Sequence, residues 1–197
     1  MQNPSAPTIL LASSSRYRRD LLDRLLGDYE AIDPGVDESN VDDLTPKKFV
    51  RQLARRKAEA VAVNAREALV IGADQIAVLD GKALGKPGDH ARAVEQLLAA
   101  SGKTVTFLTA VCILDSVGRA RYEHTDKTVV SFRDFDRRLA DAYLHHDEPY
   151  DCAGSFKLEG AGFVLFDSVR TDDPTALIGL PMIWLAGRLL ELGCLLP

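Results

Sequence analysis

Apolar and polar residues follow two alternating periodicities along the chain, one typical of strands and the other of helices. Apolar runs rich in β-branched residues predict strands at residues 8–12, 68–84 (a strand and a hairpin), 104–115, 120–132 and 162–169. Apolar residues three or four positions apart predict helices at about residues 15–26, 46–64, 90–100, 136–146 and 181–192. Strands that alternate with helices predict an α/β fold, and the long central strands favour a mixed sheet flanked by helices.

The segment Ala73-Asp74-Gln75 places a single carboxylate at the end of an apolar run. Residues 68–73 predict a short buried strand, and Asp80-Gly81 predicts a type I′ hairpin turn soon after it. Asp74 therefore lies where a core strand meets an opening. A carboxylate there can hold a divalent cation, take a proton from a water molecule, or simply cap a turn. The segment alone leaves these roles open.

Composition limits the size of the fold and the class of partner. The chain has 197 residues, of which 46% are hydrophobic, which suits one domain or two tightly packed lobes with a substantial core. No apolar run reaches the roughly 18 residues of a membrane span, so we expect no membrane association. The net charge of -5 argues against general nucleic-acid binding, which needs a positive surface.

Cysteine usage and the start of the chain predict the cellular compartment. Cys112, Cys152 and Cys194 are widely spaced and form no C-x-x-C pair, which argues against a structural zinc site or a disulfide framework. The first residues lack the basic start and apolar run of a signal peptide. We therefore expect a reducing, cytoplasmic location.

A small polar turn and a basic helix start follow the first predicted strand. The sequence there is Ser13-Ser14-Ser15-Arg16-Tyr17-Arg18-Arg19. Free backbone N–H groups, hydroxyls and guanidinium groups together can bind phosphate oxygens. The alternative is a serine N-cap with an exposed basic first turn. Because cations oppose the dipole at a helix start, arginines there have no stabilising role, and phosphate binding is the favoured interpretation.

Lys57, Glu38 and Lys86 are further candidates for a polar site. Lys57 shares the apolar face of the predicted helix 46–64, so its ammonium group either extends to the surface or enters a pocket. Glu38 follows a Pro-Gly turn, where an acidic residue is ordinarily solvated. Lys86 lies in Gly85-Lys86-Pro87, which suits a lysine directed at a phosphate, although an ordinary turn has the same pattern.

Taken together, these segments resemble the Maf family of nucleotide pyrophosphatases. The resemblance covers nearly the whole chain and keeps the family's order of motifs. The matching motifs are Leu-Ala-Ser-Ser-Ser-Arg-Tyr-Arg-Arg, Val-Asp-Glu-Ser, Arg-Lys-Ala, Gly-Ala-Asp-Gln, Gly-Lys-Pro, Ala-Gly-Ser-Phe and Ile-Gly-Leu-Pro. Asp74-Gln75 and the sequence Ser155-Phe156-Lys157-Leu158-Glu159-Gly160 look most like the branch that hydrolyses 7-methyl-GTP.

The resemblance implies a fold and a reaction. It implies a single domain over residues 1–197 with two lobes around a central cleft, related to the inosine triphosphatases. The implied reaction is hydrolysis of a nucleoside triphosphate between its α- and β-phosphates, which releases the monophosphate and pyrophosphate. The implied cofactor is a divalent cation, Mg²⁺ or Mn²⁺, and the implied partners are a small nucleotide substrate and a second copy of the chain in a homodimer.

The resemblance also implies roles for residues that match the family's motifs. Asp74 would accept a proton from the attacking water and, with Glu38, would hold the metal ion. The residues implied in phosphate binding are Ser13, Arg18, Lys57 and Lys86. The residues implied in base specificity are Tyr17, Gln75 and Glu159, because an aromatic face and a carboxylate suit a base made cationic by methylation. Tyr17 could instead pack on its helix, and Glu159 could be merely solvent-exposed.

The chain departs from the family pattern at Arg16, where proline is common, and at Tyr17, where the branch often has tryptophan. Either difference bears on fine specificity rather than on the reaction. Two other functions remain as alternatives: a pyrophosphatase for dTTP, UTP and modified pyrimidines, and a nucleotide-binding regulator of cell division with little turnover. Retention of Asp74, Glu38, Lys57 and Lys86 argues against the regulator. Gln75 and Glu159 argue against the pyrimidine enzyme.

Overall fold

The computed structural model of the protein describes residues 7–38, 44–117 and 119–196. Within these residues the strands are β1 (Thr8–Ala12), β2 (Glu30–Ile32), β3 (Ala68–Leu79), β4 (Lys82–Leu84), β5 (Thr104–Asp115), β6 (Arg121–Phe132) and β7 (Phe166–Arg170). The α-helices are α1 (Arg16–Leu22), α2 (Pro46–Ala62), α3 (His90–Ala100), α4 (Arg137–Asp147) and α5 (Met182–Glu191), with 3-10 helices at Gly162–Leu165 and Pro174–Leu177. No helix in the described ranges is long and apolar enough to cross a membrane.

The strands form one mixed sheet, which confirms the predicted α/β fold. Their order is β2-β1-β3-β5-β6-β7, and β4 pairs with β3 beside this path. β1 runs parallel to β2 and β3, whereas β3, β5, β6 and β7 run antiparallel to their successive neighbours. Cys112, Cys152 and Cys194 are free thiols in the structure.

One edge of β3 changes partner partway along the strand. β1 pairs with the first part of β3 and ends where Ala12 lies beside Gly72, while β4 pairs with the last part, beginning where Leu84 lies beside Ala77. β5 occupies the opposite edge of β3 along almost its whole length. Residues 73–76 therefore lie between the end of one neighbour and the start of the next, and this is where the sheet opens.

α2 packs against β3 at unusually short range. A Cβ atom on Gly72 would lie 2.3 Å from the carbonyl oxygen of Ala54 and 2.6 Å from the backbone nitrogen of Ala58. Glycine on the strand and alanine on the helix thus let the two backbones approach closely. Because Lys57 precedes Ala58 in the helix, this contact also determines how far Lys57 lies from the strand.

The core consists of three groups of buried side chains. One group lies under α3 and α4 and takes in Phe107 and Phe156. A second joins α1 and α5 to the sheet and takes in Leu21, Leu22 and Leu185. The third lies between α2 and the strands β1, β3 and β5. The loop that carries Phe156 and the helix α1 therefore belong to different parts of the core.

Three predicted elements differ from the structure, and the short strand β2 (Glu30–Ile32) was not predicted. The short strand predicted over residues 68–73 instead continues through Asp74 to Leu79, so Asp74 lies within β3 and not at its end. The helix predicted to about residue 26 ends at Leu22, because the following amides bond to the third residue back, Arg24 to Leu21 and Leu25 to Leu22, and so form tight turns. The strand predicted at 162–169 begins only at Phe166 and follows a 3-10 helix. Gly162 accounts for this start, since its amide bonds to the Lys157 carbonyl and a Cβ there would lie 2.2 Å from that oxygen.

Candidate active site

A cleft with a volume of about 1040 Å³ opens at the interrupted edge of β3. Its walls come from the β1–α1 connection, the loop before α2, the inner face of α2, β3, the residues after β4, and two loops near the end of the chain. All nine residues that the sequence singled out line it: Ser13, Tyr17, Arg18, Glu38, Lys57, Asp74, Gln75, Lys86 and Glu159. Residues far apart in the sequence therefore converge on one cavity, which is the candidate active site.

Lys57 joins two carboxylates at the base of the cleft. Its Nζ lies 2.7 Å from Oδ1 of Asp74 and 2.5 Å from Oε1 of Glu38. The side chains of Lys57 and Asp74 are 8% and 9% exposed, whereas that of Glu38 is 53% exposed. The alternative in which Lys57 extends to the surface is therefore wrong: its ammonium group is buried between two acids.

The two carboxylates differ in proton affinity. Burial raises the pKa of Asp74 above its ordinary value, and the charges of Lys57 and Arg18 oppose this without cancelling it. Burial also acts to raise the pKa of Glu38, but the hydrogen bond and charge of Lys57 outweigh it and hold that pKa below the usual range. Asp74 is thus the stronger base of the pair, a property suited to accepting a proton.

Arg18 is fixed by the loops on either side of it. Its Nε donates to the carbonyl oxygen of Gly179 at 3.1 Å, and its Nη1 donates to Oγ of Ser13 at 3.4 Å. Burial lowers the pKa of Arg18, opposed by the carboxylates of Asp74 and Glu38, but a guanidinium group remains charged at neutral pH. The cleft therefore holds a cation pointing toward the same acids as Lys57.

The serine turn braces the loop instead of capping the helix. Ser15 is the N-cap residue of α1 by position, yet its side chain makes no capping hydrogen bond. Ser13 is buried, and its Oγ accepts from the backbone N–H of Ser15 at 3.2 Å. The N-cap interpretation of the serines is therefore not what the structure shows.

Gln75 is held by hydrogen bonds to strand β5 and to the 3-10 helix Pro174–Leu177. Its Nε2 donates to Oγ1 of Thr109 at 3.0 Å and to the carbonyl oxygens of Ala176 and Leu177 at 2.8 and 3.1 Å. Two backbone carbonyls accept hydrogen bonds only, so the nitrogen must face them and the amide orientation is determined. The Oε1 atom is left as the polar atom of Gln75 that can meet a ligand in the cleft, and it accepts hydrogen bonds.

Tyr17, Lys86 and Glu159 lie toward the outside of the cleft. Tyr17 is partly buried, and its hydroxyl donates to Oδ1 of Asp151 at 2.9 Å. Tyr17 therefore also contacts the loop after α4, and its role at the base stays a prediction. Lys86 and Glu159 are exposed residues of the lining, and the charge of Lys86 also lowers the pKa of Glu38. Exposed groups of both signs thus surround the entrance.

The donors in the cleft suit a cation shared with a ligand rather than one enclosed by protein. Within the described ranges, no three His, Cys, Asp or Glu side chains gather closely enough to hold a metal ion. Glu38 and Asp74 nevertheless offer hard carboxylate oxygens on either side of Lys57. Mg²⁺ is typically bound by one or two carboxylates together with substrate phosphates and water. The residues therefore fit a divalent cation that phosphate groups help to hold.

Sequence reasoning missed the residues that support the site. Thr109 lies directly opposite Gln75 in the pairing of β5 with β3, but only the strand register reveals this. Asp151 falls in the long polar loop after α4, yet nothing in the sequence connects it to Tyr17 134 residues away. Gly179 contributes only its carbonyl oxygen, to which Arg18 donates. Loop length signalled Asp151 weakly, and the motif Ile-Gly-Leu-Pro contains Gly179 without indicating its partner. Nothing in the sequence signalled Thr109.

Comparison with known proteins assigns the chain to a family. Residues 8–192 match the family described as "Maf-like protein". The chain is 48% identical to the 7-methyl-GTP pyrophosphatase of Ralstonia nicotianae, over 93% of this chain and 94% of that protein. It is 48% identical to the protein of the same name from Pseudomonas syringae pv. syringae, over 97% and 100% of the two chains. A further relative with that name, from Alkalilimnicola ehrlichii, is 50% identical over 95% and 94%. The match over almost the full chain shows that this protein belongs to the Maf-like family.

Proposed function

We propose that this protein hydrolyses 7-methyl-GTP between its α- and β-phosphates, releasing 7-methyl-GMP and pyrophosphate. The observation that carries the proposal is the buried contact of Lys57 with Asp74 at the base of a cleft lined by cations. The names of relatives that are 48–50% identical over nearly the whole chain support the substrate. Membership of the Maf-like family supports the reaction class.

Asp74 takes a proton from the water that attacks the α-phosphorus. Its buried position raises its pKa, so it is a better proton acceptor than a solvated aspartate. Lys57, 2.7 Å away, favours its ionised form and so offsets part of the cost of burial. General base catalysis of this kind contributes roughly a hundredfold or more to the rate.

Cations and donors around the cleft neutralise the triphosphate. Arg18 is held rigidly by Gly179 and Ser13, so its guanidinium group needs little reorganisation to stabilise charge as the reaction proceeds. Lys86 at the entrance is free to follow the β- and γ-phosphates, since its side chain is exposed. Ser13 orients the phosphate tail through the loop that it braces.

Glu38 and Asp74 would hold the divalent cation, Mg²⁺ or Mn²⁺, together with phosphate oxygens. When bound, such an ion polarises a phosphoryl oxygen and lowers the pKa of a bound water. The half-exposed side chain of Glu38 can turn from Lys57 toward a ligand with less cost than the buried side chain of Asp74.

Tyr17, Gln75 and Glu159 select the base. The Tyr17 ring provides a stacking surface for a cationic base, worth roughly 0.5–2 kcal/mol. Gln75 presents Oε1 because its nitrogen is already committed, which suits the N–H groups on the edge of guanine. Glu159 adds a carboxylate at the entrance, where a positive base is favoured.

A turnover assay with Mg²⁺ or Mn²⁺ tests the proposal. It compares 7-methyl-GTP, GTP, dTTP, UTP and CTP, and measures the monophosphate and pyrophosphate separately. We expect both products, formed fastest from 7-methyl-GTP. Preference for dTTP or UTP would overturn the substrate but not the reaction, and binding without turnover would favour the regulator. A cytoplasmic location and a homodimer stay predictions.

A further inference from the structure

Three side chains form a bridge at the mouth of the cleft: Tyr17, which has a role in the proposed function, and Arg16 and Asp151, which have none there. Nη2 of Arg16 donates to the hydroxyl oxygen of Tyr17 at 2.7 Å, and that hydroxyl donates to Oδ1 of Asp151 at 2.9 Å. Arg16 also lies 3.8 Å from Oδ2 of Asp151. The thiol of Cys152 donates to the Tyr17 oxygen at 3.4 Å.

The bridge connects two separate parts of the core. Arg16 and Tyr17 begin α1, whose Leu21 and Leu22 pack with α5 against the sheet. Asp151 belongs to the loop that is anchored by Phe156 in the core under α3 and α4. All three residues of the bridge line the cleft. The bridge therefore spans the entrance and fixes the distance between its two sides.

In the bridge, the negative charge of Asp151 offsets the positive charge of Arg16, and the hydroxyl of Tyr17 is neutral. Burial raises the pKa of Tyr17, so its hydroxyl keeps the proton that it donates. Burial also acts to raise the pKa of Asp151, but the hydrogen bonds from Tyr17 and Cys152 hold it below the usual range. Asp151 is thus an anion at neutral pH, facing a guanidinium group that is always charged.

Folding stability does not explain this arrangement. The side chains of Arg16 and Asp151 are 58% and 53% exposed, and an ion pair so exposed adds little to stability. Its effect on a ligand is larger, because the Arg16 guanidinium carbon lies 4.8 Å from the centre of the Tyr17 ring. One face of the ring is covered by a positive charge, so a base can stack only on the other face.

We propose that Asp151 is a positioning residue that holds Tyr17 at the mouth of the cleft and offsets the charge of Arg16, thereby permitting a cationic base to stack. The inference rests on the proposed function, in which Tyr17 contacts the base. Without the Asp151 charge, Arg16 would repel a methylated, positively charged guanine across the ring. A neutral guanine would feel little of this repulsion, so the pair determines selectivity for methylation.

Equilibrium binding of 7-methyl-GMP and GMP, measured by calorimetry, tests this inference. Asp151→Asn keeps a hydrogen-bond acceptor for Tyr17 but removes the charge, and we expect the preference for 7-methyl-GMP to fall about three- to tenfold. Arg16→Gln should raise that preference by a similar factor. The double variant should return close to the wild-type value, because the bridge is again neutral, and Asp151→Glu should retain most of the preference.

The double variant separates charge balance from a structural effect. If Asp151→Asn acted by damaging the loop, the preference of the double variant for 7-methyl-GMP would be no higher than that of Asp151→Asn alone. An unchanged preference in both single variants, or a change of the same sign in both, would overturn the inference. Asp167→Asn removes an exposed acid of β7 outside the cleft lining and serves as the matched control.

Hydrolysis by the same proteins distinguishes this inference from the proposed function. We expect the bridge variants to change KM for 7-methyl-GTP with kcat within about twofold of the wild type, because binding rather than chemistry is affected. One outcome is that Asp151→Asn and Arg16→Gln shift the binding preference for 7-methyl-GMP in opposite directions while the wild type hydrolyses no 7-methyl-GTP. That outcome would overturn the proposed function but not the inference. Hydrolysis of 7-methyl-GTP with no shift in binding preference would overturn the inference alone.

Discussion

Nζ of Lys57 lies 2.7 Å from Oδ1 of Asp74, and both side chains are less than one-tenth exposed. The contact joins the inner face of α2 to β3 at the opening between β1 and β4. Burial disfavours the charged form of a carboxylate, and the nearby ammonium group opposes this effect on Asp74.

Replacement of Asp74 by asparagine should remove hydrolysis but not nucleotide binding. An amide of the same shape cannot accept a proton from water, so kcat should fall by at least about a hundredfold. Product formation from 7-methyl-GTP measures the rate, and calorimetry measures binding. An Asp74→Asn variant with wild-type turnover would contradict the role of Asp74.

Replacement of Lys57 by methionine should move the acidic limb of the pH profile. Removal of the cation raises the pKa of Asp74 further, so kcat/KM should begin to rise only at higher pH. The folded-state pKa of Asp74 lies above its unfolded value, and such a group contributes stability at low pH that is lost as pH rises through the folded pKa. The midpoint of thermal unfolding of Lys57→Met should therefore recover as pH falls.

Lys48→Met is the control for that experiment. Lys48 lies on the same helix but is exposed, so its replacement should move neither the pH profile nor the unfolding temperature. An acidic limb that stays in place in Lys57→Met would show that Lys57 does not control the ionisation of Asp74.

Removal of divalent cations should abolish turnover. Glu38 and Asp74 would share the ion with the triphosphate, so chelation should stop product formation and added Mg²⁺ or Mn²⁺ should restore it. Glu38→Gln should raise the concentration of metal required for half-maximal activity. Full activity after exhaustive chelation would contradict metal dependence.

Replacement of Gln75 by glutamate should destabilise the fold as well as the site. The new carboxylate oxygen would face the carbonyl oxygens of Ala176 and Leu177, which now accept from Gln75. Because these bonds are lost and the carbonyl oxygens are left without a donor, the free energy of unfolding should fall by roughly 1–3 kcal/mol. Chemical denaturation measures the change, and Gln52→Glu on the exposed face of α2 is the matched control. Unchanged stability in Gln75→Glu would mean that the anchoring bonds matter little.

Replacement of Gly72 by alanine should separate α2 from β3. The added Cβ would lie 2.3 Å from the Ala54 carbonyl oxygen, so the helix must move, at a cost of about 1–3 kcal/mol for overpacking. Because Lys57 moves with the helix, kcat should fall as well. Gly27→Ala, where a Cβ meets nothing within 4 Å, should be close to neutral in both measurements. Normal activity in Gly72→Ala would show that the close packing of α2 on β3 is not needed for the activity of the site.

The sequence by itself determined the α/β fold, most element positions and nine of the residues that line the cleft. Strand and helix periodicities are local, so β1, α2 and the pair β5–β6 could be predicted from neighbouring residues alone. The nine candidate residues could be chosen because their motifs match a known family, and all of them line one cleft. The errors arose at Leu22, where tight turns end the helix, and at Gly162, where a 3-10 helix precedes the strand. The sequence also missed the short strand β2 and the continuation of β3 through Asp74.

Only the tertiary structure decided how these residues act on one another. The burial of Lys57 between Asp74 and Glu38 depends on the close approach of α2 to Gly72, and the orientation of Gln75 depends on its register with Thr109. The bridge from Tyr17 to Asp151 joins residues 134 positions apart. Local patterns carry no information about such distances, because chain folding and close packing, not sequence neighbours, bring these groups together.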